Sequence, residues 1–171
     1  MTVSGTLLPE FEGFLEHRRR LGLDVFDEVW DGTLHLNPGP SESHADVQLQ
    51  VGHVLRPLAA ARELRVVGPT NLGRGDDDFR LPDLMLRPVT AARGVFAQDA
   101  VLVVEVVSPS DESYRKFDFY RRHEVQEVLV VDPQRRTVEL FGYRGDQVVE
   151  LTRSHVLDVT ADHIATGISW P

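Results

Sequence analysis

The chain has 171 residues, 42% hydrophobic and 26% charged, a composition that suits a globular protein able to bury one core, so a single domain over residues 1–171 is expected. The formal net charge of −9 excludes a nucleic-acid coat held by bulk charge, and any nucleic acid must meet a local basic patch. The absence of cysteine removes disulfides, thiolate zinc sites, thiol nucleophiles and redox switches. Met1 to Leu8 lacks the pattern of an export signal, and no segment approaches the roughly 18 apolar residues of a membrane span, so cytoplasmic residence without membrane contact is expected. Among the 18 basic residues Lys116 is the only lysine.

In chain order, residues 9–21 read as a helix, with Pro9 in the first turn, Phe11, Phe14, Leu15 and Leu21 near helical spacing and Gly22 as the stop. Residues 24–30 and 33–36 read as strands joined by Asp31-Gly32, a two-residue hairpin signal. A second helix is expected over about 41–64, capped by Ser41 or Ser43 and kinked or broken near its middle by Pro57. A strand at 64–67, a Gly/Asp-rich solvated loop at 68–80 and a strand at 81–87 follow. Residues 100–107 form the most apolar run and predict a central strand buried on both faces. A helix over about 110–123, capped by Ser110 with Asp111 and Glu112 in its first turn, leads to a strand at 127–131. Strands at 137–143 and 147–151 then make a meander that ends in a short loose tail.

Glu105 interrupts the apolar run. A lone buried carboxylate is costly unless neutralised, paired or bound to a cation, so that face of the strand needs a polar partner. Asp83, at the start of a neighbouring short strand, is one candidate, and two adjacent strands could bring both carboxylates onto one hard divalent ion such as Mg²⁺. Lys116, eleven residues after Glu105, could return to the strand end to orient or deprotonate a water and offset phosphate charge. A structural salt bridge between Glu105 and Lys116 accounts for the same residues.

The order Leu81-Pro82-Asp83, Val103-Val104-Glu105-Val106-Val107-Ser108-Pro109-Ser110, Lys116 and Tyr120, then Val125 to Asp132-Pro133, resembles the Uma-type restriction-endonuclease-like family of the PD-(D/E)XK nuclease superfamily. The upstream Glu28-Val29-Trp30-Asp31-Gly32-Thr33-Leu34 and the Pro38 to His44 loop are similar to that family's opening hairpin and helix start, so the likeness runs from about residue 9 to 165. It implies an α/β (α+β) restriction-endonuclease-like core, with a central mixed sheet flanked by helices and preceded by an N-terminal helix and hairpin. It further implies that Asp83 and Glu105 bind Mg²⁺ or Mn²⁺ and that Lys116 completes the site. Glu28 and His44 match family positions able to line the same pocket, Glu28 as an additional metal or water ligand. Val107 stands where the superfamily carries a lysine two residues after the glutamate, and the Uma-type branch resembles this variant, with the lysine supplied from the following helix.

Structural alternatives stand beside each assignment: Glu28 as an exposed strand carboxylate, His44 as a helix-start residue and Asp83 as a turn former after proline. Tyr120 reads as a core residue or one positioning the lysine, and His123 as exposed. His123-Glu124-Val125-Gln126-Glu127 lacks the second histidine of a zinc-protease helix, Gly73-Arg74-Gly75 lacks a following Lys-Ser pair, and no Gly-x-Ser-x-Gly elbow exists. The resemblance implies a metal-dependent endonuclease acting on DNA and leaving a 5′-phosphate. The alternative is a non-catalytic nucleic-acid- or protein-interaction module that keeps the fold. Arginines 18 to 20, 115, 121, 122, 135 and 136 form the available basic patch, with Arg121 and Arg122 the residues assigned to nucleic acid. A homodimer is expected by analogy with nucleases that cut two strands.

Overall fold

The computed structural model describes residues 2–3, 9–108 and 112–171, so the expected cap Ser110 and first-turn Asp111 lie outside the described residues. The N-terminal part comprises β1 (Thr2–Val3), α1 (Pro9–Arg20), β2 (Glu28–Trp30) and β3 (Thr33–His35). The hairpin between β2 and β3 turns on Asp31 (φ 47°) and Gly32 (φ 78°), the paired left-handed conformation that matches the twist of the flanking strands. The first strand of that hairpin is shorter than the 24–30 expected, because residues 21–26 form turns.

Helix α2 (Glu42–Ala60) starts at Ser41, whose hydroxyl accepts from the His44 N–H. Val47, Val51, Leu55 and Ala59 recur every four residues and are buried along one stripe. Pro57 does not break this helix near its middle: it falls in the last turn, and the helix continues past it to Ala60.

The chain continues through β4 (Leu64–Val67), β5 (Asn71–Gly73), β6 (Phe79–Arg80), β7 (Leu84–Pro88), β8 (Phe96–Ala97) and β9 (Leu102–Val106). A single 3-10 turn (Ser113–Lys116) then runs into α3 (Phe117–Arg122), followed by β10 (Glu127–Asp132), β11 (Thr137–Arg144), β12 (Gln147–Glu150) and α4 (Ala161–Ala165). The third helix is therefore shorter than the expected 110–123. Two further expectations are corrected. The 68–80 segment is not loop throughout, since β5 and β6 join the N-terminal strands, while residues 74–78 between them form the largely exposed loop expected; a Cβ on Gly73 would lie 2.7 Å from the Asp78 carbonyl oxygen, so the backbones meet too closely for any side chain. Nor is the tail loose, because Leu157, Ile164 and Ile168 are buried in the core.

Two six-stranded sheets result, one ordered β1-β3-β2-β6-β5-β8 and the other β12-β11-β10-β9-β7-β4. Both are mixed: β5 pairs with β8, and β9 with β10, in parallel, while the other pairs are antiparallel. The parallel β9–β10 pair requires a crossover, and the 3-10 turn and α3 supply it. One face of the second sheet, including Leu84, Leu86, Leu102, Val104, Val106, Leu129 and Val131, packs with α2 and α4. The other, with Met85, Val103, Val128 and Val130, is covered by Phe117, Phe119 and Tyr120 of the crossover. Strand β9 is thus buried on both faces, as its unbroken apolar run demands.

Candidate active site

Glu105 lies on the crossover-covered face of β9, opposite Val130 of β10. The register Met85↔Val103 and Leu84↔Val104, extended by one step, sets Asp83 across from Glu105. Pro82 ends the approach to β7, and the Asp83 carboxylate takes the place of the missing ladder partner by accepting from the Val106 N–H at 2.7 Å. Its other oxygen meets His44 Nε2 at 2.7 Å, and His44 Nδ1 lies 3.1 Å from Ser108 Oγ. Gln48, one turn after His44 on the same helical face, donates from Nε2 to the Asp83 carbonyl at 2.9 Å.

The crossover delivers the other half of the site. Lys116 Nζ, at the junction of the 3-10 turn and α3, donates to Glu105 Oε2 at 3.2 Å and to Glu28 Oε1 at 3.0 Å. Tyr120, one turn later and fully buried, donates its hydroxyl to Glu105 Oε1. The tyrosine therefore steers the carboxylate rather than the lysine. Glu28, on β2 of the other sheet, also accepts from Trp30 Nε1 and the Leu81 N–H, each at 2.7 Å.

Two carboxylates thus share one ammonium, and the nearby Asp83 adds a third negative charge to its surroundings. Burial pushes the Glu105 carboxyl up to about 8; Lys116 pulls it down, while Asp83 and Glu28 add to the rise. Burial alone would lower Lys116, but Glu105, Glu28 and Asp83 together hold its ammonium above the ordinary lysine value. The Tyr120 hydroxyl is raised well above its usual range by burial and by the facing carboxylates. The ammonium accordingly stays charged, and the excess negative charge around it suits a cation.

The structure brings together Asp83, Glu105, Lys116, Glu28 and His44, which the sequence placed in one pocket. Glu28 is only 1% exposed, which removes the exposed-carboxylate alternative. Arg121 and Arg122 lie on α3 beyond Lys116 and are engaged by aspartates. Arg121 pairs with Asp118 and Asp146, and Arg122 with Asp31, Asp78 and Asp118. His123 is half-buried, its ring stacked on Phe119 at 4.0 Å. Sequence reasoning missed Gln48, although its spacing from His44 pointed to it. It also missed Arg80, buried with its guanidinium 4.6 Å from the Trp30 ring and 4.1 Å from the Phe119 ring. Among the described residues no group of three or more Asp, Glu or His side chains is arranged to cage a metal, and no helix is long and apolar enough to cross a membrane.

The fold and sequence agree with known proteins. A crystal structure of a "putative nuclease belonging to DUF820" from Anabaena variabilis is similar with a TM-score of 0.63 at 17% identity, over 82% of this chain and 90% of that one. A cryo-electron microscopy structure of a DrdV–DNA complex matches with a TM-score of 0.43 at 15% identity, over 75% of this chain and 12% of that one. No curated protein matches the chain in sequence. The model of the Uma2 family, described as "Putative restriction endonuclease", matches residues 12–165, nearly the whole chain, and the protein belongs to that family.

Proposed function

We propose that the protein is a metal-dependent endonuclease that hydrolyses phosphodiester bonds of DNA. Asp83 and Glu105 hold Mg²⁺ or Mn²⁺, and Lys116 assists the attacking water. The observation that carries this reading is the meeting of a crossover lysine with a buried strand glutamate, one strand away from a second carboxylate that is itself held by the β9 backbone. Two hard carboxylates beside excess negative charge fit a hard divalent ion whose remaining positions go to waters and substrate oxygens, so the lack of a three-residue cage is no obstacle. Such an ion supplies charge neutralisation at the phosphate and a more acidic water. The chain's own groups do the rest: Lys116 orients the water through an N–H donor and offsets charge gathering on the phosphate, and Tyr120 keeps Glu105 in its rotamer. Water attacks phosphorus, the P–O3′ bond breaks, the 3′ oxygen takes up a proton, and the phosphate stays on the 5′ side.

The test is cleavage of supercoiled plasmid and single-stranded DNA in Mg²⁺ or Mn²⁺ by wild type, Glu105→Ala and Lys116→Ala purified identically. Loss in both variants supports the assignment; equal cleavage by all three identifies a contaminant. A second reading, an interaction module retaining the nuclease fold, draws on the Lys116–Glu105 ion pair, since a purely structural pair has the same geometry. Absence of both cleavage and Mn²⁺ binding by the wild type would favour it. The proposal extends to a homodimer in the cytoplasm, two copies cutting two strands, with sedimentation equilibrium as the check on the dimer.

A further inference from the structure

Glu28 is the site carboxylate with the most fixed surroundings. Its Oε1 accepts from both the Leu81 N–H and Lys116 Nζ, and its Oε2 accepts from Trp30 Nε1. All three partners donate, and two of them belong to the framework. Leu81 contributes backbone, and the Trp30 indole is held by the stacked His35 ring at 4.1 Å and the Arg80 guanidinium at 4.6 Å. Glu105 differs, because Lys116 and Tyr120 engage it only through side chains. Asp83 differs too, with a side chain 18% exposed against 1% for Glu28. Both Glu28 oxygens are thus already committed to fixed donors, and its one movable partner is the lysine.

We propose that Glu28 is a positioning residue that anchors Lys116 at the site from the opposite sheet, and that it is not a ligand of the divalent ion. This rests on the nuclease reading only for its consequence in catalysis. Lys116 ends a flexible stem and would otherwise hang on Glu105 alone, so the anchor keeps the ammonium in place when Glu105 is engaged elsewhere. Glutamine at position 28 keeps the volume but offers one accepting oxygen to three donors, so the lysine contact cannot be kept without losing another.

Because Lys116 is the only lysine, protein grown on ¹⁵N-lysine gives a single side-chain ammonium signal by NMR. The wild type should show that signal, protected from solvent exchange. In Glu28→Gln it should broaden or vanish, and in Trp30→Phe, which removes one framework donor, it should weaken. Mn²⁺ affinity should change less than about threefold in Glu28→Gln and fall at least about tenfold in Glu105→Gln. In cleavage, Glu28→Gln should lower kcat by about 10²-fold or more with little change in KM, the scale of losing one positioned donor at the reacting centre. An unchanged lysine signal in both position-28 and position-30 variants, or Mn²⁺ affinity lost in Glu28→Gln, overturns the proposal. If the wild type does not cleave DNA the nuclease reading fails, while the lysine signal of the metal-free protein still decides the anchor.

Discussion

Replacing Lys116 by methionine keeps the stem packed and removes the only ammonium shared by Glu28 and Glu105. Breaking a buried ion pair from one side costs about 3–5 kcal/mol, because it strands a buried charge. The stranded group can instead take up a proton, which makes the cost depend on pH. In the wild type Glu105 is raised by burial from 4.5 to about 8, so it disfavours folding increasingly as pH rises between those values; the full span corresponds to at most about 5 kcal/mol. Removing the attraction of Lys116 raises the folded value further and carries the loss to higher pH. At pH 5 Glu105 is protonated in both proteins, and the substitution should cost about 1–2 kcal/mol, chiefly from the contact with Glu28. At pH 8.5, just above the wild-type value of about 8, the cost should be larger by about 1 kcal/mol, and it should grow by about 1.4 kcal/mol with each further pH unit. Urea unfolding followed by tryptophan fluorescence at several pH values measures the difference, and Lys116→Met/Glu105→Gln should recover most of the high-pH loss. A cost that is equal at pH 5 and 8.5 would refute the reasoning, since it would mean that Glu105 and Lys116 do not share their charge.

Tyr120→Phe removes the hydroxyl donor to Glu105 at a fully buried position and should cost about 1–3 kcal/mol, measured by the same unfolding experiment. Ser154→Ala removes one of the donors to the buried Glu127 carboxylate, which the His155 and Val156 N–H groups also cap; a loss of about 1–3 kcal/mol without effect on cleavage is expected. Charge reversal of Arg121 and Arg122 should weaken DNA binding and flatten its salt dependence while leaving Mn²⁺ affinity intact, as read by fluorescence anisotropy across a salt series. The change in slope should be below about two, because aspartates already engage both guanidinium groups.

What the sequence made legible was whatever one segment decides alone. Glu105 stood out because a charge inside six apolar neighbours has few physical outcomes, and Ser41 and Asp31-Gly32 declared a cap and a turn through local backbone chemistry. Asp83 could be named, but its place across from Glu105 depends on the β7–β9 register, which no local signal encodes. The same limit hid β5 and β6: strands of three and two residues have no readable period, and their partners lie across the chain in the hairpin and in β8. Helix α4 is five residues long, so only its contact with the core reveals Ile164 as interior. Arg80 reads as the polar end of a loop until Trp30 and Phe119, from two distant segments, close over it. Arg121 and Arg122 were visible as cations, while the aspartates that engage them, apart from Asp118, were not visible as neighbours.

The arrangement ties stability to the function proposed for the site. A fold that holds three carboxylates around one ammonium carries an unfavourable charge balance in the metal-free state, and Glu105, raised to about 8, marks where that strain sits. A divalent ion that binds only the folded protein adds stability that grows with its concentration relative to its Kd. Binding also requires Glu105 to lose its proton, so affinity must rise with pH up to about 8 and one proton must leave as each ion enters at lower pH. Thermal unfolding with and without Mn²⁺ should therefore show a larger increase in Tm at pH 8 than at pH 6. In Glu105→Gln the increase should be small at both values, and the metal-free protein should lose the decline in stability between pH 5 and 8. A Tm increase in the wild type that ignores pH would assign the ion to another place, because no ligand can occupy a protonated Glu105 without displacing its proton.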